Sequence, residues 1–529
     1  MAGYLSLVLH AHLPFVRHPE HEDFLEEDWF FEAITETYLP LLEAFDRLAA
    51  EGVPYRVTMT LTPTLVSMLR DELLVARYAQ RLDRLNELAE KEVLRTRDDP
   101  QFAPVAAFYQ EQLARMRRLF TDDYRQDLVG AFRRLQNAGH LDIITCGATH
   151  GFLPLMQAVP EAVAAQIRVA AAHYRIHFGR DPKGIWLPEC GYYPGLDRLL
   201  AAEGIRYFFV DTHGVVEASP RPIYGVYAPI FTESGVAAFG RDPESSQQVW
   251  SAEFGYPGDP LYREFYRDIG WDLDLDYLRP YIQPTGDRKN TGLKYFRITG
   301  QGEQKLPYDP KAAKARALAH AEHFVSSREK QASYLEGKLG DRPAIITAPY
   351  DAELYGHWWF EGPWFLEAVI RRAAASQTGF SLTGPADYLA QFPENQIAQP
   401  PMCSWGEHGY AGTWLHPSND WIYPHLLSCA QRMVELARHH REVPVLTRRA
   451  LNQAARELLL AQSSDWAFIM RSGTMVEYAV RRTRDHLERF ERLFEMLQGG
   501  AIDEAWLTDL ESRDNLFPEI DYRVYRPVA

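Results

Sequence analysis

Tyr4-Leu5-Ser6-Leu7-Val8-Leu9-His10 is an apolar run of strand length that stops abruptly at an imidazole. Six later stretches repeat the design. Residues 55–61 end in Thr62-Pro63, 141–146 are followed closely by Thr149-His150, and 184–188 end at Glu189. Residues 206–210 end at Asp211, 235–240 at Arg241-Asp242, and 344–350 at Asp351. The runs are mostly non-alternating and rich in β-branched or aromatic residues, the pattern of parallel strands buried on both faces. Helical spacing between many of them, as in 161–178, gives a repeated β-then-α order and predicts a parallel α/β fold. Seven such units predict a closed or nearly closed barrel. In that architecture chemistry gathers at the C-terminal strand ends, which here carry His10, His150, Glu189, Asp211, Asp242 and Asp351.

Two regions break the alternation. Residues 66–139 are charged and helical, as in 80–96 and 104–120, and read as an insertion after the second strand. Residues 421–440, 446–463 and 474–497 are helical again. The expected division is a catalytic barrel over 1–395 and a helical C-terminal domain over 396–529 that contributes to the active-site cleft, with 391–401 as the linker. Residues 256–301 form one long loop with Gly, Pro and aromatics, and loops of that length in compact enzymes are often functional.

With 529 residues, 46% hydrophobic and 24% charged, the chain has the balance of a soluble globular protein. A core of this size needs no disulfide or metal staple. Cys146, Cys190, Cys403 and Cys429 are scattered without a C-x-x-C pair, which argues against a zinc knuckle or a disulfide scaffold. The first apolar run lacks a basic flank and a small-residue cleavage site, so it reads as a core strand rather than a leader, and a cytoplasmic location is expected. No apolar run approaches a membrane span. A net charge of −16 disfavours nucleic acid and anionic lipid as partners and suits a neutral substrate. Aromatics reach 13%, which fits core packing and sugar stacking equally.

Glu189 and Asp351 are the carboxylates to weigh. Each follows an apolar strand, and a buried acid is costly unless paired or functional. Glu353 is the competing acid in the second motif, where it could instead open a helix as a favourable N-terminal charge. Asp351 lies directly at the strand end. Two carboxylates about 5–5.5 Å apart suit retaining glycoside chemistry, one attacking and the other protonating. Their repulsion keeps one protonated near neutral pH. His10-Ala11-His12 could instead be half of a metal site, completed by His150 or His213, as in a metal-dependent amidohydrolase or deacetylase. The plainer reading is that these imidazoles bond sugar hydroxyls or orient carboxylates. Trp405 and Trp414 lie in turn-rich chain, where exposed indoles are hard to explain by packing. The turn carrying Trp466 suits core packing as well as site contact. A Walker loop, a G-x-G-x-x-G turn and a G-x-S-x-G elbow are all missing from the sequence.

Five segments together carry a resemblance. They are His10-Ala11-His12-Leu13-Pro14-Phe15, Ala148-Thr149-His150-Gly151-Phe152, Trp186-Leu187-Pro188-Glu189, the run from Pro349 to Trp359, and the run from Ser464 to Met470. In order and over nearly the whole chain they resemble the signature regions of glycoside hydrolase family 57, most nearly its 1,4-α-glucan branching enzymes and related α-amylases. The resemblance implies an incomplete (β/α)7 barrel with a helical insertion and a helical C-terminal domain. It implies Glu189 as nucleophile and Asp351 as acid/base, without a metal or other cofactor. Substrate contacts are expected from His10, His12, His150, Asp211, Arg241 and Asp465, with stacking from Trp29, Trp250, Trp405 and Trp414. The implied substrate is an α-glucan such as amylose or glycogen. The implied activity is branching with some hydrolysis; α-amylase is the alternative, and a non-catalytic glucan-binding protein a remote one. One departure stands out. Branching members carry an extended mobile loop with a tyrosine between the fifth and sixth strands, whereas here only 212–234 lie between them, with Tyr224 and Tyr227 available.

Overall fold

The computed structural model describes residues 3–251, 254–282, 286–300, 304–340, 342–375 and 379–527. Among the described residues there are nine strands: β1 (Gly3–Ala11), β2 (Val57–Leu61), β3 (Leu141–Ile144), β4 (Gly184–Ile185), β5 (Tyr207–Val210), β6 (Ile230–Phe231), β7 (Ala237–Gly240), β8 (Ala344–Asp351) and β9 (Phe380–Leu382). Seven of them form the parallel wall in the order β8-β1-β2-β3, then β4-β5-β7. A single parallel bridge, Thr145 to Ile185, joins the two halves. On the other side, Asp242 N donates to Thr347 O at 2.8 Å, without a ladder between β7 and β8 among the described residues. The architecture is therefore the incomplete (β/α)7 barrel.

The seven expected strands are all present. The two extra ones are short. β6 pairs antiparallel with β7 as a hairpin. β9 pairs with β1 over Gly3–Leu5, the part of that edge that β2 leaves free by starting at Val8. Alternate residues of each strand separate into two packed sets. Val8, Ile144, Cys146, Trp186, Tyr207, Phe209, Ala237, Phe239 and Ile345 pack with one another inside the barrel. Leu7, Leu9, Met59, Ile143, Phe208, Val210 and Ile346 face the surrounding helices. Both faces are buried, which is why the sequence runs do not alternate.

The insertion folds as helices Pro63–Arg70, Glu72–Thr96, Ala103–Arg118 and Leu128–Asn137. The long loop lies against it, except that Gln301 and residues 283–285 fall outside the described residues. Tyr277 and Tyr295 donate to Glu92, and Tyr281 to Glu87. These loop aromatics are thus spent on packing. The C-terminal helices are Ile422–His439, Val445–Ala461, Ser464–Ser472, Val476–Gly499 and Glu504–Arg513. All four cysteines are free and buried. No described helix is long and apolar enough to cross a membrane.

A close approach fixes the chain after β8. Gly356 has φ +127°, and a Cβ there would lie 1.8 Å from the Glu36 carbonyl oxygen. His357 Nδ1 then meets Glu36 at 2.8 Å, and Arg263 meets the same carboxylate at 2.8 Å. Gly356→Ala adds both a backbone clash and a disfavoured φ, so it is expected to cost about 2–4 kcal/mol. Thermal melting should fall by several degrees, whereas Gly337→Ala, in a helix with open space around it, should not lower it.

Candidate active site

Glu189 sits past the end of β4 in a tight turn, Pro188–Cys190. Its φ is +62°, and that of His150, at the turn beyond β3, is +59°. Non-glycine residues in this region cost about 1–3 kcal/mol each and persist only where surrounding contacts impose them. The contacts here are specific. Trp405 Nε1 donates to Glu189 Oε2 at 2.7 Å, and Ser464 Oγ donates to Oε1 at 2.9 Å. Trp405 N also donates to the Glu189 carbonyl at 2.9 Å. Both partners come from chain that follows the barrel.

Asp351 ends β8 in register with His10 on β1. Burial, then the charges of Glu353 and Glu189, push its carboxyl well above the usual range, against the pull of Arg241. Burial likewise raises Glu189 to about 7, opposed by the Trp405 and Ser464 hydrogen bonds and the charge of His12. Glu353 is engaged elsewhere: it accepts from Tyr38 Oη at 2.5 Å and from His12 N at 3.1 Å. Among the described residues none donates a hydrogen bond to Asp351, which leaves its carboxyl free for a ligand.

The imidazoles divide into two electrostatic kinds. Burial would depress His12, but Asp465 at 3.0 Å outweighs it and raises the imidazole. Burial pushes Asp465 up in turn, yet His12, His150 and Ser463 bring it to about 2. The two therefore form an ion pair, with His12 Nδ1 3.1 Å from Thr62 Oγ1. His10 and His150 lie well below the ordinary histidine range because burial and neighbouring imidazoles disfavour their charge. They are neutral and bonded to each other, Nε2 to Nε2, at 3.0 Å. Nε2 of both rings is thus engaged with a protein partner, and so is Nδ1 of His150, which meets Ser464 Oγ at 2.8 Å. His213 lies apart from them, bonded to the Gly409 carbonyl at 3.0 Å.

Asp211, Arg241 and Trp250 line an open cleft of about 290 Å³. Asp211 caps the helix Thr212–Val216 through Thr212 N and lies 3.9 Å from Arg241, whose guanidinium covers the Trp405 ring. Asp242, also at a strand end, caps Pro243–Trp250 and faces Arg328, a structural role. Trp29 is half-buried, edge-on to Tyr478. One expectation is corrected. Trp414 is 2% exposed, with its indole stacked on Phe152 at 4.8 Å. Turn-rich sequence does not expose it, because the following helices close over that turn. Trp405 does reach the site, through its N–H to Glu189 as much as through its ring. Ser464 and Tyr38 were not singled out from the sequence. Ser464 lay inside a signature segment, but a serine beside an aspartate gives no signal of its own.

The segment 212–234 begins at the cleft, which Thr212 lines, and its later part pairs with residues 397–399. Ser219 pairs with Gln399 and Phe231 with Ile397. Tyr224 lies near Tyr388, which packs against Tyr4 at the opposite end of the barrel. Tyr227 is half-buried near Asp242 and Gln331.

Residues 6–401 match glycosyl hydrolase family 57. The chain belongs to this family. Residues 425–525 match the C-terminal region of 1,4-alpha-glucan branching enzymes. Among relatives of this family 57 chain, a 1,4-alpha-glucan branching enzyme of Thermococcus kodakarensis is 36% identical, over 98% of this chain and 78% of that protein. The crystal structure of an alpha-amylase from Thermotoga maritima has a TM-score of 0.94 at 46% identity, covering 100% of both chains. That of a branching enzyme from Pyrococcus horikoshii has a TM-score of 0.88 at 34% identity, covering 100% of this chain and 98% of the other.

The site makes a prediction about stability. A carboxyl raised in the folded state binds its proton more tightly there than in the unfolded chain. Its stabilising effect is therefore complete below the unfolded value of 4.5 and lost as pH rises through about 7. Neutral Glu189→Gln removes that loss. The variant should melt above the parent at pH 8, by about 1–3 kcal/mol, and the difference should close near pH 4. Equal melting curves at both pH values would contradict the raised carboxyl.

Proposed function

We propose that the chain is a retaining α-glucan enzyme that transfers cut chains to a glucan 6-hydroxyl, a 1,4-α-glucan branching activity with appreciable hydrolysis. The observation that carries the chemistry is the unequal pair at the strand ends. Glu189 accepts two hydrogen bonds that favour its ionised form, whereas Asp351 has no such donor and two acidic neighbours. Glu189 attacks the anomeric carbon while Asp351 protonates the departing glycosidic oxygen. The glucosyl ester on Glu189 is then released when Asp351, now a base, takes the proton of the incoming hydroxyl. The half-buried rings of Trp250 and Trp405 offer stacking faces for glucose units, and the Arg241–Asp211 pair meets hydroxyls. The net charge of −16 suits a neutral polysaccharide and not nucleic acid or anionic membrane. A cytoplasmic location fits the same substrate.

The acceptor decides between transfer and hydrolysis, and transfer needs water kept out and an acceptor chain held in place. The named relatives and the match over residues 425–525 favour branching. A second reading, α-amylase, is favoured by one specific feature: Tyr224 lies near Tyr388 and Tyr227 near Asp242 and Gln331, and neither lines the open cleft beside Asp211.

The test is a single incubation with linear amylose, following α-1,6 linkages by proton NMR and new reducing ends in parallel. Branching predicts α-1,6 signal well ahead of reducing ends; reducing ends without it would make the enzyme an amylase. Full activity is expected to survive exhaustive chelation, and its loss would revive metal-dependent hydrolysis.

A further inference from the structure

One hydroxyl in the site has a role that proton counting reveals. Ser464 Oγ lies 2.9 Å from Glu189 Oε1 and 2.8 Å from His150 Nδ1. His150 Nε2 lies 3.0 Å from His10 Nε2. An ionised carboxylate can only accept, so Ser464 spends its single proton on Glu189. It must then accept from His150, which places that ring's proton on Nδ1. Both imidazoles are neutral and carry one ring proton each. The bare His150 Nε2 therefore accepts from His10 Nε2–H, and His10 Nδ1 is left bare. That nitrogen is buried without a protein partner among the described residues. An unmet acceptor is the milder of the two defects, because orphaned buried N–H groups are the rarer.

The reverse order is worse. A proton on Glu189 Oε1 gives Ser464 Oγ a second donor, so either the Ser464 proton loses its acceptor or every link turns around and ends with an N–H on His10 Nδ1, which has no protein acceptor among the described residues. The geometry thus works against burial and favours an ionised Glu189. Ser464 is pinned to the barrel for this purpose. Its N–H donates to the His150 carbonyl at 3.0 Å, and Gly151 pairs with Ser463.

We propose that Ser464 is a positioning residue, the last link of a one-way chain from His10 through His150 and Ser464 to Glu189, which aims the nucleophile's carboxylate and opposes its protonation. The inference rests on Glu189 as the nucleophile. Other groups also face Glu189: His150 itself, its Nδ1 3.6 Å from Oε1, Trp405, the His12–Asp465 pair, Cys146, Cys190 and Asp351, with Arg241 and Glu353 beyond Asp351. All remain in Ser464→Ala, so that change isolates the one link.

The experiment compares parent, Ser464→Ala, Ser464→Thr and Glu189→Gln on amylose across pH 4.5 to 9. Losing one hydrogen bond to a charged group should lower kcat about 10- to 100-fold in Ser464→Ala. KM should stay within about threefold, and the acid limb of kcat/KM should move to higher pH. Ser464→Thr keeps the hydroxyl and should restore both. Should Ser464→Ala fail to melt cooperatively, Ser464→Cys replaces it; its weaker donor should give the same direction of change. Parental activity in Glu189→Gln would remove the nucleophile reading itself. An inactive Glu189→Gln beside a Ser464 variant with parental kcat and acid limb would overturn only this inference, as would a threonine variant as impaired as the alanine one.

Discussion

Two buried carboxylates cannot both be ionised cheaply, and the arrangement of this chain follows from that constraint. Glu189 and Asp351 stand at the ends of strands from opposite halves of the same barrel. Burial pushes both upward. Donors then separate them. Trp405 and Ser464 give their protons to Glu189, while Glu353, itself held by Tyr38 and the His12 backbone, presses on Asp351. The ion pair of His12 with Asp465 also stands near Glu189, where the Asp465 charge raises the carboxyl more than the His12 charge lowers it. Glu189 and His150 both have positive φ, and both side chains meet the same serine.

The barrel does little of this alone. Its strands deliver His10, Glu189 and Asp351 to one end, but the donors that distinguish the carboxylates come from residues 404–465. The seam that carries them is specific. Thr149 Oγ1 bonds to the Leu459 carbonyl, Gln166 bridges Thr149 and Gln462, and the Ser464 backbone pairs with His150. A glutamine fully buried in a barrel helix would be a liability without those partners.

Much of this was legible in the sequence because it rests on local patterns. Strands buried on both faces leave uninterrupted apolar runs, and a polar residue at the end of such a run marks the chemical face. All seven parallel strands, with Glu189 and Asp351, follow from that rule. β6 and β9 escaped because two or three residues carry no periodicity, and each exists only through the partner that it finds in space. Trp414 was misjudged for a related reason. Local turn propensity reports backbone conformation and not what later helices lay over it. Ser464 was hidden because its importance lies in a proton count across three separate segments, none of which constrains the others in sequence.

The seam also sets an order of events during synthesis. A ribosome that has released Asp351 has already made both carboxylates, the three imidazoles and every strand ending in one of them. It has not yet made Trp405, Ser464 or Asp465. A chain emerging N-terminus first therefore passes through a stage in which both acids exist before the donors that sort them. The donors that set the two acids apart arrive only with the last quarter of the polypeptide, so the site is completed well after its carboxylates are made.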